Sequence, residues 1–278
     1  MIRRIKSYDE CRGFVSGFQD DPRFSDPTLC SEEQLRCNLI RSIAEPEQHF
    51  VFGIYREAQM IGLFSFLVSF EEQYMEMLVG LSREKEAYTE MLACLEQRYP
   101  GYSADFVFNP GNFLLKELLE QRKAAFEPEQ QKMRLVSPAP SADTDGVELL
   151  SDRYAEQYCA MHTRDVYWTG ERVLQAQNRF RTLLAIQDGK VAGYIDVTYT
   201  FQENEPFDLL VLEEYRRRGH GKRLLAKALE MNAPNGMLLH VDVENAPAIR
   251  LYEAMGFARV PGQNSLSAHW MVARSGSL

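Results

Sequence analysis

The chain has 278 residues, 45% of them hydrophobic and 26% charged, enough material for two domain cores. A net charge of −9 excludes a general nucleic-acid binder, which presents a broad basic surface. No stretch approaches the roughly 18 apolar residues of a membrane span, and the N-terminus, MIRRIKSYDECRGF, lacks a signal-peptide core.

Cys11, Cys30, Cys37, Cys94 and Cys159 follow no zinc spacing and read as reduced thiols. The expectation is a cytoplasmic protein with no membrane or nucleic-acid partner and no metal, and with homodimerisation open.

In chain order, a short strand and helices come first. Ser31-Glu-Glu-Gln34 forms a capping box before a helix carrying Leu35, Leu39, Ile40 and Ile43 on one face. HFVFGIYREAQMIGLFSFLV (49–68) predicts strand, tight turn, strand. YMEMLVGLSREKEAYTEMLACLEQ (74–97) predicts strand, loop, helix, and DFVFNPGNFLLKELL (105–119) strand into helix. SPAPSADTDG (137–146) has linker composition. Beyond it the order repeats. DRYAEQYCAMH (152–162) has helical spacing, and RFRTLLAIQDGKVAGYIDVTYT (179–200) is a hairpin with Asp188-Gly189 as its turn. PFDLLVLEEYRRRGHGKRLLAKALE (206–230) and HVDVENAPAIRLYEAM (240–255) follow, then C-terminal strands. Gly62 and Gly193 fall at the same place in each half, 131 residues apart. The fold class is α/β in the sense of a mixed α+β sheet, not doubly wound. The domains expected are 1–137 and 147–278, joined by a linker at 138–146.

The most basic stretch is Arg216-Arg217-Arg218-Gly219-His220-Gly221-Lys222. It joins a buried strand to a helix whose Leu224, Leu225, Ala228 and Leu229 share a face. Two glycines allow close backbone approach, and a helix N-terminus offers free N–H groups and a positive dipole end. Together they make a phosphate cradle. The loop is neither a Walker loop nor Gly-x-Gly-x-x-Gly.

Arg216-x-x-Gly219-x-Gly221 resembles the Gln/Arg-x-x-Gly-x-Gly/Ala signature of GNAT N-acetyltransferases. HVDVENAPAIRLYEAMGFARV (240–260) resembles the strand and helix that follow in that family, with Asn245, Tyr252, Gly256 and Phe257 in place. The likeness covers about 147–278. It implies two tandem GNAT-like domains, with the acetyl-CoA pyrophosphate held by amides from Arg217 to Lys222. It also implies a pantetheine arm along Val211, with Asn245 assisting, and an acetyl carbonyl polarised by the Leu209 N–H.

An alkylamine of pKa about 10.4 is short of its neutral form by about 4.6 kcal/mol at pH 7, so a general base is expected. Glu205 is the first choice: it stands eleven residues before Arg216 and shares the parity of Leu209 and Val211 on an unbulged strand. Asp208 is second, with opposite parity unless a bulge intervenes, and Pro206 between them is unusual in a strand. By resemblance Tyr252 protonates the departing thiolate. Asn245, before Pro247, also reads as an N-cap. His220 reads as a further donor in the loop or an exposed side chain; His162, His240 and His269 read as satisfied, partly buried histidines. The resemblance implies an acceptor pocket at the loop RDVYWTGER (164–172), where Tyr167 and Trp168 are expected to line an aromatic wall.

The first half has Arg83-Glu-Lys-Glu-Ala-Tyr-Thr89 at the loop position, with no glycine and added carboxylates. It reads as a degenerate half that does not bind CoA. The chain is expected to acetylate a primary amine, on a small molecule or a peptide, with a cationic acceptor favoured by the acidic surface. A non-catalytic acyl-CoA sensor and a transferase using another acyl-CoA are the alternatives.

Overall fold

The computed structural model describes residues 1–18, 21–24, 32–137, 143–163 and 168–273. Cys30, the Ser31–Gln34 capping box, Tyr167 and the linker stretch 138–142 lie outside the described residues or their side chains. The chain forms two compact units, Met1–Gln131 with Pro261–Leu278, and Lys132–Val260.

The first unit is built on a seven-stranded sheet. Its strands are β1 (Ile2–Arg4), β2 (His49–Arg56), β3 (Gln59–Ser69), β4 (Tyr74–Leu81), β5 (Ser103–Phe108), β6 (Ala125–Phe126) and a late strand from the C-terminal end. One face is covered by α1 (Arg12–Ser16) and α2 (Glu32–Ala44), packing Val15 and Leu39 on Val51, Leu63 and Val79. The other is covered by α3 (Lys85–Arg98) and α4 (Phe113–Gln121). Tyr88, Met91, Leu92 and Leu95 recur at helical spacing and meet Phe52, Phe64 and Phe66.

The chain enters the second unit within β7 (Gln130–Leu135). The second unit holds β8 (Val147–Leu149), α5 (Ala155–Met161), α6 (Gly170–Gln175), β9 (Phe180–Gln187), β10 (Lys190–Thr198), β11 (Glu203–Asn204) and β12 (Pro206–Val211). Then come α7 (His220–Asn232), β13 (Gly236–Asp242), α8 (Ala246–Ala254) and β14 (Phe257–Arg259). The hairpin turn between β9 and β10 places Asp188 at φ 52° and Gly189 at φ 76°, the paired left-handed conformation that suits Asp-Gly. Sheet β8-β9-β10-β12 and sheet β11-β13-β7-β14 are separate ladders. Helices α7 and α8 bury Leu224, Leu225, Ile249 and Tyr252 on one side, and α5 and α6 bury Tyr158 and Val173 on the other. Burial of each such leucine contributes roughly 2 kcal/mol.

The repeat predicted from sequence is present element by element, but its ends are exchanged. β7, which precedes the linker, pairs with β14 of the second unit through Leu135–Phe257 and Met133–Arg259. The last strand, β15 (Leu266–Met271), pairs with β5 and β6 of the first. The expected boundaries at 137 and 147–278 therefore shift: 132–137 joins the second unit and 261–278 the first. The cause is pairing across a large sequence separation, which local pattern does not carry. No disulfide links the described cysteines Cys11, Cys37, Cys94 and Cys159. No helix among the described residues is long and apolar enough to cross a membrane.

His269 pins β15. Its Nδ1 lies 2.7 Å from Asp105 Oδ1 and its Nε2 3.0 Å from Glu127 Oε1. Burial lowers its pKa, but hydrogen bonds to the two carboxylates outweigh burial and raise it. The stabilisation is therefore complete below the ordinary histidine pKa and is lost as pH rises through the raised one. His269 is partly exposed, so about 1 kcal/mol or less is at stake. His269→Gln should lower Tm by about 1–3 °C at pH 5.5 and by less at pH 9. An equal loss at both pH values in calorimetry would show that the charge contributes nothing.

Candidate active site

The site begins where two strands part. β11 runs parallel to β13, with Glu203 opposite Gly236 and Asn204 opposite Met237. Asn204 is fully buried and locks this point. Its amide donates to Phe201 O at 3.0 Å and to Asn232 Oδ1 at 2.8 Å, while Asn232 donates to Gly236 O at 3.0 Å. Past this lock the chain joins β10 instead. Asp208 pairs with Asp196, but the next residue, Val197, pairs with Pro206, so Phe207 is an extra, bulged residue. Pro206 takes the first position of β12, where a missing N–H is tolerated. β12 is thus the edge of its sheet, with half its backbone groups facing the gap toward β13.

At the end of β12 a 3-10 turn (Glu213–Tyr215) leads into the basic loop. Arg217 at φ 61° and Gly219 at φ 84° turn the backbone left-handed. The first N–H to close back on this turn is that of Arg223, to Gly219 O at 3.0 Å. The N–H groups of His220, Gly221 and Lys222 therefore point out of the helix start. A Cβ at Gly221 would sit in ordinary contact, 3.4 Å from Leu251 Cδ2 and 3.8 Å from Val211 Cγ2. Arg216 Nε donates to Val211 O at 3.0 Å, tying the loop to β12. Arg217, Arg218 and Lys222 are exposed. His220 departs from the expectation. It is buried, its Nε2 lies 2.9 Å from Gln187 Oε1, and burial followed by Arg223 and Arg218 lowers its pKa. Its ring faces the core, leaving only its backbone N–H for the cradle.

The bulge at Phe207 overturns the parity predicted for Glu205. Leu209 and Val211 pack on the α7/α8 core, whereas Asp208 reaches Tyr194 on the opposite side. With one extra residue between them, Glu205 falls on the Asp208 side. There its Oε1 meets His240 Nδ1 at 3.1 Å. Asp208 is part-exposed and accepts the Tyr194 hydroxyl at 2.6 Å. Tyr252 is buried with its ring edge-on to Phe257. Burial first, then the Asp208 charge, pushes its pKa up to about 12.

Behind Asp208 lies a polar group that sequence reading missed. Asp196, fully buried on β10, accepts the Tyr158 hydroxyl at 2.9 Å on both oxygens and the Thr182 hydroxyl on one. His162 stacks on Tyr194 at 4.4 Å, with Nε2 3.4 Å from Asp196 and Nδ1 3.9 Å from Asp208. One ligand atom from each of His162, Asp196 and Asp208 lies within 4.8 Å of the others. Both Asp196 oxygens already accept hydroxyl hydrogen bonds, which fits a proton network better than a metal centre. The one sequence signal was the single carboxylate in the apolar run of YIDVTY.

Asn245 caps α8, its side chain accepting from Ala248 N at 3.2 Å. It is exposed, so its amide remains accessible. Trp168 packs edge-on to Phe180 at 4.8 Å, and Phe180 meets the bulged Phe207 at 5.7 Å. The aromatic wall expected from Trp168 therefore continues to the residue beside Asp208.

The first unit keeps the same frame but lines it differently. Asn112 caps α4 at φ −80°, ψ 69°, nearly the φ −78°, ψ 64° of Asn245. Here, however, the Asn112 amide donates to the buried Tyr88 hydroxyl at 2.8 Å. β4 and β5 pair only at Tyr74–Met77 and Ser103–Phe106. Arg23, Phe24, Leu78 and Val107 line the parting beyond. Arg83 lies over Phe18 at 4.1 Å, donates to Gly17 O at 2.9 Å and faces Asp21 at 3.6 Å.

Residues 147–257 match the model of the acetyltransferase (GNAT) family. Mycothiol acetyltransferase of Mycolicibacterium vanbaalenii is 30% identical over 135 residues, 48% of this chain and 38% of that protein. Ribosomal protein bS18-alanine N-acetyltransferase of Escherichia coli is 33% identical over 91 residues, 32% of this chain and 57% of that protein. The chain thus spans less than two thirds of either relative. A GCN5-related N-acetyltransferase from Sphaerobacter thermophilus superposes with TM-score 0.68 at 13% identity, covering 100% of this chain and 97% of that one. A tandem GNAT protein from the clavulanic acid biosynthesis pathway superposes with TM-score 0.60 at 13% identity over 99% of both chains. At that identity the likeness is one of fold. Residues 147–257 thus match the acetyltransferase (GNAT) family model, and the fold of the chain is similar to that of a tandem GNAT protein.

Proposed function

We propose that the protein is an N-acetyltransferase that moves an acetyl group from acetyl-CoA directly to a primary amine, with its active site in the second unit. One observation carries this reading: a parted strand edge ends in a glycine-bearing basic loop at a helix N-terminus, with a carboxylate and a buried tyrosine beside it. Backbone N–H groups from Arg217 to Lys222 hold the pyrophosphate, assisted by the exposed cations and the positive end of α7. The edge of β12 at Val211, with Asn245 across the gap, takes the pantetheine arm. The Leu209 N–H donates to the acetyl oxygen as negative charge develops on it. Tyr252, held protonated, donates its proton to the departing thiolate.

Asp208 replaces Glu205 as first choice for the base. It adjoins Leu209, its charge is felt at Tyr252, and it follows Phe207, which meets Phe180 of the aromatic wall that ends at Trp168. Glu205 is engaged with His240 at the locked end of the gap. The acceptor is read as cationic, drawn to Asp208 and Glu205. The first unit, whose corresponding gap carries Tyr88, Asn112, Arg23 and Phe24, is read as a non-binding partner domain.

Asp208→Asn should lower kcat/KM for the amine by about 100-fold at pH 7, in the range of general-base catalysis, while Glu205→Gln stays within about fivefold. Steady-state rates on a set of simple amines check this, and the reverse order would restore Glu205 as the base.

Tyr252 is raised to about 12, so it stays protonated between pH 6 and 10. Its deprotonation should therefore give kcat no alkaline fall below about pH 11. Tyr252→Phe should lower kcat by about tenfold or less, because a thiol of pKa about 8.5 already leaves well. An unchanged kcat would remove the acid role.

A further inference from the structure

Asp196 and Asp208 are directly opposed on neighbouring strands. Two carboxylates in that relation repel each other, and one of them is fully buried. The fold places one imidazole between them. His162 ends the helical segment α5; its side chain is 3% exposed and its Nε2 is buried with no hydrogen bond among the described residues. Gly170, at the start of α6, makes room for it: a Cβ there would come within 3.1 Å of His162 Cδ2 and 2.8 Å of Cys159 Cα. The ring is clamped by Tyr194 on one face and Tyr158 on its edge, so its two nitrogens have fixed directions.

We propose that His162, backed by Asp196, is a positioning and proton-holding residue for Asp208 in the acetyl transfer assigned above. This rests on that assignment. Asp196 selects the tautomer with the proton on Nε2, which leaves the Nδ1 lone pair toward Asp208. The acceptor ammonium loses one proton to Asp208, and that proton passes to His162 Nδ1 through a contact that shortens from 3.9 Å when the acceptor binds. Uptake of the proton takes the three-residue group from −2 to −1, and its transfer to His162 places the positive charge between the two carboxylates and leaves Asp208 ionised beside the amine. The neutral amine forms the new C–N bond as the C–S bond breaks, the thiolate takes the proton from Tyr252, and the surplus proton on the new amide nitrogen restores the Tyr252 hydroxyl, leaving amide, free thiol and one proton on His162. The polar groups around His162 and its two carboxylates are Tyr158 and Cys159 on α5, Thr182 on β9, Tyr194 and Asp196 on β10, and Asp208 on β12. Tyr158 and Tyr194 have pKa values raised by burial and by these carboxylates, so they remain hydroxyl donors.

The test compares wild type, His162→Gln, Asp196→Asn and Asp208→Asn with spermidine, an aminoglycoside and an alanine-initiated hexapeptide as acceptors. With spermidine, His162→Gln should lose at least tenfold in kcat/KM at pH 7 and less than threefold at pH 9.5, where about a tenth of such an amine is already neutral. KM for acetyl-CoA should stay within twofold, and the double variant His162→Gln/Asp208→Asn should be no worse than Asp208→Asn alone. A structural defect would lower the rate equally at both pH values, and that result, or no loss at all, overturns the proposal. Nitrogen chemical shifts of histidine-labelled protein read the tautomer without turnover: Nε2–H is expected, shifting toward a mixture in Asp196→Asn, and an Nδ1–H imidazole rules out proton acceptance from Asp208. A wild type inert to every acceptor sinks the transferase reading and the relay with it. An active wild type with an unaffected His162→Gln sinks the relay alone.

Discussion

Backbone N–H and C=O groups inside a sheet must find partners, and the second unit breaks its sheet deliberately at one place. β11 stays on β13, β12 leaves for β10, and the Asn204–Asn232 pair closes the lower end of the gap. The exposed edge of β12 becomes a template for an extended ligand. The bulge at Phe207 belongs to the same event, because a strand that changes sheets must absorb an extra residue. That residue puts Glu205 on the same side of the strand as Asp208, and its ring meets Phe180 of the aromatic wall. The basic loop then starts at the top of the same strand, with Arg216 bonded back to it.

The two units show how one frame can hold or lose such a site. The cap conformation of the last helix is the same in both, at Asn112 and Asn245. What differs is what the cap residue faces. Asn245 is exposed, whereas Asn112 is committed to the Tyr88 hydroxyl inside the core. Likewise Arg83 spends its guanidinium on Phe18, Asp21 and the Gly17 carbonyl, whereas Arg217 and Arg218 project from a left-handed turn. The first unit has no glycine at 83–89, and its parting is lined by Arg23, Phe24, Leu78 and Val107.

Much of this was legible in the chain. The Asp188-Gly189 turn, the strand-loop-helix order of each half and the cradle from Arg216 to Lys222 follow from local pattern, because turns, caps and helix faces are local physics. Three features were not legible. The exchange of β7 and β15 depends on pairing between residues more than a hundred positions apart, such as Leu135 with Phe257 and Leu266 with Phe108. The bulge reverses a parity that would hold on a regular strand, which moved Glu205 away from Leu209 and Val211. The approach of His162 to Asp196 and Asp208 joins three elements and left one trace, a lone aspartate in an apolar strand. His220 shows the converse error: a histidine inside a basic loop looked exposed, yet Gln187 and Tyr215 hold it in the core.

The central claim is that one gap, between β12 and β13, takes acetyl-CoA, and that the corresponding gap of the first unit does not. A calorimetric titration of the intact chain with acetyl-CoA tests it most directly. One site per chain, weakened at least tenfold by Gly219→Val, is the predicted result. Two sites, or one site indifferent to Gly219, would contradict the account, and no binding at millimolar ligand would remove its foundation.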